Sequence, residues 1–325
     1  MTTRLATRPA PARAGITAPR AEPASTLRLV LSFAAVYVIW GSTYLAIRYA
    51  IETMPPFLMA GARFTVAGTL LYGWLRLRGA PRPRPGDWGS ATVVGGLMLV
   101  GGNGALSWAE SRVPSGIASL LIATVPIWIV VLERLRPNGE RPGGAVVAGL
   151  GLGTLGVGLL VGPHGLLAGK PIDPLGAAVL LLGSFLWAVG SLRSRGGAIA
   201  GPPLLTTGMV MLSGGAELLL LGLISGETAR LETAEVTLRS GLALLYLVVF
   251  GSIVAYSAYL WLMRHAPPAR VATYAYVNPM IALLLGFTFA GEPLSARTLG
   301  AASLIIASVA ILQLGKSRST RGGRP

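Results

Sequence analysis

PPARVATYAYVNP, residues 267–279, repeats the proline frame of PSGIASLLIATVP, residues 114–126. A shift of 153 residues (267 − 114) lays Pro114 on Pro267 and Pro126 on Pro279, and a shift one shorter lays Glu140 on Glu292. Upstream, a shift of 147 (187 − 40) places Trp40 on Trp187, Arg48 on Arg195, and Pro55 and Pro56 on Pro202 and Pro203. Matches in one order at nearly constant offsets mark an internal repeat. The chain is therefore expected to be two copies of one unit, residues 29–161 and 175–314, joined by a short external linker at 162–174.

The unit is made for lipid. Of 325 residues 53% are hydrophobic and only 12% charged, which sets ordinary soluble domains aside. A membrane helix needs roughly 20 mostly apolar residues. Ten windows qualify: 29–49, 57–75, 89–108, 115–132, 144–161, 175–192, 204–224, 241–263, 271–290 and 296–314. Their hydrophobicity is continuous, with no period-2 alternation in short segments, so helices are expected and a barrel is not. Five spans per copy is an odd number. The second copy then enters the membrane upside down, an arrangement common among secondary transporters, with substrate held near the midplane between the copies.

A net charge of +15 raises the question of nucleic acid, and the positions of the basic residues answer it. With the spans above, 20 of the 27 Lys and Arg fall on one side of the membrane and 6 on the other, leaving Arg63 within a span. By the positive-inside rule both termini are cytoplasmic, and the basicity is a topology signal. No nucleic-acid partner is expected. Residues 1–28, rich in Arg, Pro and Ala, and residues 315–325 read as basic cytoplasmic tails. The first has no apolar core of signal-peptide type, and a cleaved transit peptide is its weaker alternative.

Polar and aromatic side chains inside the spans mark the candidate site. Trp40, Tyr44 and Arg48 recur at helical spacing after Tyr37, so one face of the first span looks into the bundle. Asn103, Ser107 and Glu110 form a polar stripe on the third. Trp187 mirrors Trp40 in the sixth span. The eighth carries Ser252, Tyr256, Tyr259 and Met263 on one face, and the ninth Tyr274 and Asn278. Aromatic rings with polar tips suit an amphipathic ligand, although such stripes also arise from helix packing alone. Arg63 needs a partner in hydrocarbon. Glu110 or Glu217 is expected to supply it, as a structural ion pair or as part of proton coupling. Pro126 and Pro279 free carbonyls within their spans and are candidate hinges. Gly149, Gly153 and their neighbours in span five permit close helix contact, within the monomer or across a weak homodimer.

The stretches VYVIWGSTYLAIR, PPFLMAGARF, GNGALSWAE, VPSGIASLLIATVP, FGSIVAYSAYL, ATYAYVNPMIALLLG and GEPLS resemble the EamA group of the drug/metabolite transporter superfamily, in particular its YedA-like and YddG-like bacterial exporters. The resemblance covers about residues 29–315. It implies an all-α integral membrane fold of ten transmembrane helices in two inverted five-helix repeats, located in the bacterial inner membrane. It also implies a central cavity lined by Trp40, Tyr44, Asn103, Ser107, Trp187, Tyr256, Tyr259, Tyr274 and Asn278, and export of metabolites by alternating access.

Amino acids, aromatic ones included, are the expected small-molecule substrates. Multidrug or sugar-phosphate and nucleotide-sugar export on the same fold is the alternative; the family's phosphate carriers tend to display several basic residues in the cavity, where this chain offers Arg63. An intramembrane enzyme is remote. There is no cysteine, no H-x-x-x-H pair, no P-loop and no paired intramembrane carboxylate, so neither a metal nor another cofactor is expected.

Overall fold

Pro55 and Pro202, partners in the repeat, hold nearly the same backbone conformation, φ −59°, ψ 138° and φ −57°, ψ 138°. Each is followed by a second proline at the first helical position, where the missing N–H is not needed. Thus α2 (Pro56–Leu77) and α7 (Pro203–Ile224) begin in the same way. The computed structural model describes residues 25–113, 118, 121–136, 142–167, 173–195, 197, 199–231, 235–290 and 296–314. Pro114, Glu140, Glu292, residues 168–172 of the linker and nearly all of both tails lie outside the described residues.

Around this pair stand α1 (Thr26–Ala50), α3 (Pro85–Ala109), α4 (Val125–Leu135), α5 (Gly144–Leu167), α6 (Pro174–Arg195), α8 (Leu238–His265), α9 (Tyr274–Ala290) and α10 (Ala296–Leu314). No strand occurs among the described residues. By length and composition α1, α3, α6, α7 and α8 are each able to cross a membrane. Leu70, Leu182 and Leu220 lie within their helices and more than half exposed. A surface of this kind is compatible with lipid and costly in water.

The neighbours follow the repeat. α2 packs on α7 and α5 on α10; α1 packs on α9 as α6 does on α4; α1 packs on α8 as α6 does on α3; α3 packs on α7 as α8 does on α2. Exchanging α1–α5 with α6–α10 returns each of these contacts. The repeat reaches into helix geometry as well. The middle of α3, Gly96–Gly104, and the middle of α8, Leu247–Tyr256, are both wound as π-helix. Such wide turns inside a helix are rare and cluster at functional sites.

Glycines set the two self-paired contacts. A Cβ at Gly68 of α2 would stand 2.7 Å from the Leu212 nitrogen, and one at Gly215 of α7 would stand 2.6 Å from the Thr65 nitrogen, so the two backbones touch. In the α5–α10 pair, Gly149, Gly153 and Gly156 are covered by Leu312, Ser308 with Tyr276, and Ile305. Small residues in a membrane bundle buy close van der Waals contact where no hydrophobic drive exists. The spacing in span five is thus used within the chain.

Two expectations about proline need revision at one site. Pro279 lies inside α9, as its spacing suggests. Pro126 does not bend a continuous helix. The chain turns at Ala123 and Thr124, and Pro126 sits in the first turn of α4, where its missing N–H breaks no intrahelical bond.

Candidate functional site

Between the halves lies a cavity of about 520 Å³, counting the part open to solvent. Its wall is built from α1, α2, α3, α4, α6 and α9, so both copies contribute. Trp40 and Tyr44 come from α1, Asn103 from α3, Trp187 from α6, and Tyr274 and Asn278 from α9. All six are residues that the sequence brings forward. Their contribution reaches from mid-bundle toward the end where α1 and α3 finish and α2 and α6 begin.

The aromatic wall is a single packed cluster. Trp40 meets Trp187 edge-on at 5.6 Å between centroids, Tyr259 at 5.0 Å and Tyr274 at 5.0 Å. Its indole N–H donates to the Gly251 carbonyl in the π stretch of α8, at 3.1 Å. The Trp187 indole donates to the Tyr259 hydroxyl at 3.2 Å, and that hydroxyl is bonded to Ser191 at 2.6 Å. Edge-on and tilted ring pairs are favourable beyond their buried area, and each polar tip has a partner. The cluster therefore holds its rings in fixed orientations.

Three expected site residues do not reach the cavity wall. Tyr256 and Tyr259 are fully buried behind Trp40 and Trp187, where they support the indoles. Their stripe on α8 is real, but a stripe does not say whether it faces a hollow or a neighbouring helix. Ser107 is also buried away from the wall, and Leu106 is exposed to the cavity instead. The expected stripe assumed 3.6 residues per turn, and the π winding up to Gly104 breaks that register.

The expected ion pair of Arg63 is absent. Its Nε donates to Ser252 Oγ at 2.8 Å, its guanidinium lies 4.6 Å from the Phe64 ring centroid, and neither Glu110 nor Glu217 is within salt-bridge distance. Glu217, half-buried on α7, places its carboxylate against Gly96 of α3. Both carboxylate oxygens of Glu110 are buried with no hydrogen-bond partner. Arg63 instead lines the cavity. Helical spacing could place Arg63 inside the bundle, but depth alone could not choose between a protein partner and a hollow.

Sequence reasoning also missed Thr43 and Gly183 on the wall, neither of which stands out among many such residues in apolar spans. Ser184, one turn before Trp187, lines the wall as well. Toward the other end of the bundle the cavity is closed. Tyr37 of α1 and Thr273, just ahead of α9, share a hydrogen bond of 2.5 Å below the aromatic cluster. Among the described residues no three His, Asp or Glu side chains come together to hold a metal ion.

Known proteins carry the same architecture. A crystal structure 23% identical in sequence superposes with a TM-score of 0.73, covering 90% of this chain and 99% of that one, a likeness of fold alone. The chain is 40% identical over 283 residues to the uncharacterized inner membrane transporter YedA of Escherichia coli (strain K12), covering 87% of this chain and 89% of that protein. Over 133 residues it is 30% identical to a Streptantibioticus cattleyicolor protein named "Probable terminal-alkyne amino-acid exporter", covering 41% of this chain and 44% of that one. The profile of the EamA-like transporter family matches twice, over residues 27–162 and over residues 174–314. With both halves matched and a 40% identical transporter aligned along most of its length, the chain belongs to the EamA-like transporter family.

Proposed function

We propose that this protein is a secondary transporter exporting small zwitterionic metabolites, amino acids foremost, through the cavity between its two halves. One observation carries the reading: a cavity walled by Trp40, Trp187 and Tyr274 also presents the polar groups of Tyr44, Asn103 and Asn278. Ligand sites are mostly apolar with a few placed polar groups, and this wall matches that description. The amino-acid export named for the Streptantibioticus relative supports it at lower identity.

The ten helices are read as ten spans, the halves inserted in opposite senses, with both termini cytoplasmic. On that reading the cavity faces the external side and the Tyr37–Thr273 contact closes the cytoplasmic one. Alternating access then requires the aromatic cluster to part and the external end to close. If export is proton-coupled, Glu110 and Glu217 are the carboxylates available in the bundle.

Sugar-phosphate exchange on the same fold is the second reading, favoured by the presence of Arg63 on the wall. A phosphate dianion calls for more than one cation, and no other Lys or Arg among the described residues lines the cavity. Counterflow in proteoliposomes decides between them. Vesicles loaded with each of a panel of amino acids are expected to accumulate labelled tracer, and vesicles loaded with phosphorylated sugars are not. Exchange of phosphorylated sugars with silence toward every amino acid would reverse the assignment.

A further inference from the structure

Among the described residues Arg63 is a cation with no acidic group to neutralise it. It is 4% exposed, it lies on the cavity wall, and among the described residues its partners are Ser252 Oγ, which takes Nε, and the face of Phe64. No acidic group among the described residues lies within 4 Å of it. The two terminal nitrogens of the guanidinium accordingly have no hydrogen-bond acceptor among the described residues. A buried charge left in this state is costly, and its fork is shaped to receive two oxygens of one carboxylate.

The fork is seated deliberately. A Cβ at Gly251 would stand 2.8 Å from Nη2, so the side chain lies in a notch that only glycine leaves open. The same Gly251 carbonyl accepts the Trp40 indole, which places the cation and the aromatic wall on one support.

The opposite polarity lies on other parts of the wall. Asn278 and Tyr44 stand together on the wall, and Asn278 Oδ1 is buried without a hydrogen-bond partner. An amide oxygen without a donor suits an ammonium group.

We propose that Arg63 is the specificity-determining anchor for the carboxylate of a zwitterionic substrate, with Asn278 Oδ1 and Tyr44 receiving its ammonium end. This rests on the amino-acid reading above and narrows it. The site selects compounds with a free carboxylate and discriminates against the corresponding amides and amines. Trp40, Trp187 and Tyr274 are left to contact the side chain.

The test is competition in counterflow with labelled L-phenylalanine as the probe. Against wild-type protein, phenylalaninamide and 2-phenylethylamine are expected to compete about 10- to 100-fold more weakly than phenylalanine, the range of hydrogen bonds to a charged group. Phenylpropionate, which keeps the carboxylate and lacks the ammonium, is expected to fall between them. Arg63→Gln should bring phenylalanine and its amide to within about threefold of each other by removing that contact. Arg63→Lys, which keeps the charge and loses the fork, should retain part of the difference.

Equal competition by acid and amide in the wild type would overturn the proposal, and so would full discrimination in Arg63→Gln. Should that variant fail to fold, the wild-type series alone decides. If phenylalanine is not exchanged, the same series runs on any amino acid that is. Exchange of no amino acid at all would remove the proposed function, and this inference with it, an outcome distinct from lost discrimination.

Discussion

Replacing Trp40 with alanine is expected to reduce counterflow at least tenfold and to lower the melting temperature of the purified protein in detergent. Trp40 is the hub of the aromatic cluster, in ring contact with Trp187, Tyr256, Tyr259 and Tyr274. Truncation would leave a void beside the cavity and a Gly251 carbonyl without its indole donor. The loss from the void alone is on the order of 3 kcal/mol, since packing rather than transfer from water holds a membrane core. Trp40→Phe keeps a ring and loses only the N–H, at about 1–3 kcal/mol for the unpaired carbonyl. The alanine variant should therefore be the worse of the two in both measurements. Wild-type exchange and an unchanged melting temperature in Trp40→Ala would remove the cluster from the site.

A larger structural effect is expected at the α2–α7 crossing. Gly215→Val would put a Cβ 2.6 Å from both the nitrogen and Oγ1 of Thr65, and Gly68→Val would put one 2.7 Å from the Leu212 nitrogen. The two nitrogens are backbone atoms, which no rotamer change removes. Ordinary overpacking costs about 1–3 kcal/mol, and a collision that forces two central helices apart should exceed that. Neither variant is expected to give a single sharp peak on size exclusion. Gly73→Val is the control on the same helix, because nothing lies within 4 Å of the added Cβ, and it should behave as wild type. A well-behaved Gly215→Val protein would mean that α2 and α7 do not cross so closely.

That crossing was legible and went unread. Gly61 and Gly68 stand seven residues apart in α2, and the shift of 147 that carries Trp40 to Trp187 carries them to Gly208 and Gly215 (61 + 147 and 68 + 147). A seven-residue period of small residues keeps one helical face against one partner over several turns. The offset that reveals the repeat thus also reveals which helices meet. Trp40, Tyr44 and Asn278 were legible for a simpler reason, since polar-tipped groups deep in apolar spans rarely face lipid.

What the sequence withheld is winding and partnership. Nothing in GLMLVGGNG or LVVFGSIVAY distinguishes a π stretch from an α-helix, because both bury similar apolar faces. The register after the α3 stretch was therefore misjudged, and Ser107 moved off the wall. Arg63 was read as the mate of Glu110 or Glu217 because each needs one, but a need for countercharge carries no direction. In the fold Arg63 is left on the cavity wall, where a ligand could supply it, and Glu110 is buried without a hydrogen-bond partner.

The absence of cysteine makes the most direct test simple to build. Asn103→Cys would place one thiol on the cavity wall, in a half-buried position on α3. Provided the variant still exchanges amino acid, a membrane-impermeant thiol reagent added outside right-side-out vesicles is expected to label it, and saturating substrate is expected to slow that labelling several-fold. Labelling from the cytoplasmic face alone, or at a rate that substrate leaves unchanged, would contradict a substrate path through the cavity between the two halves.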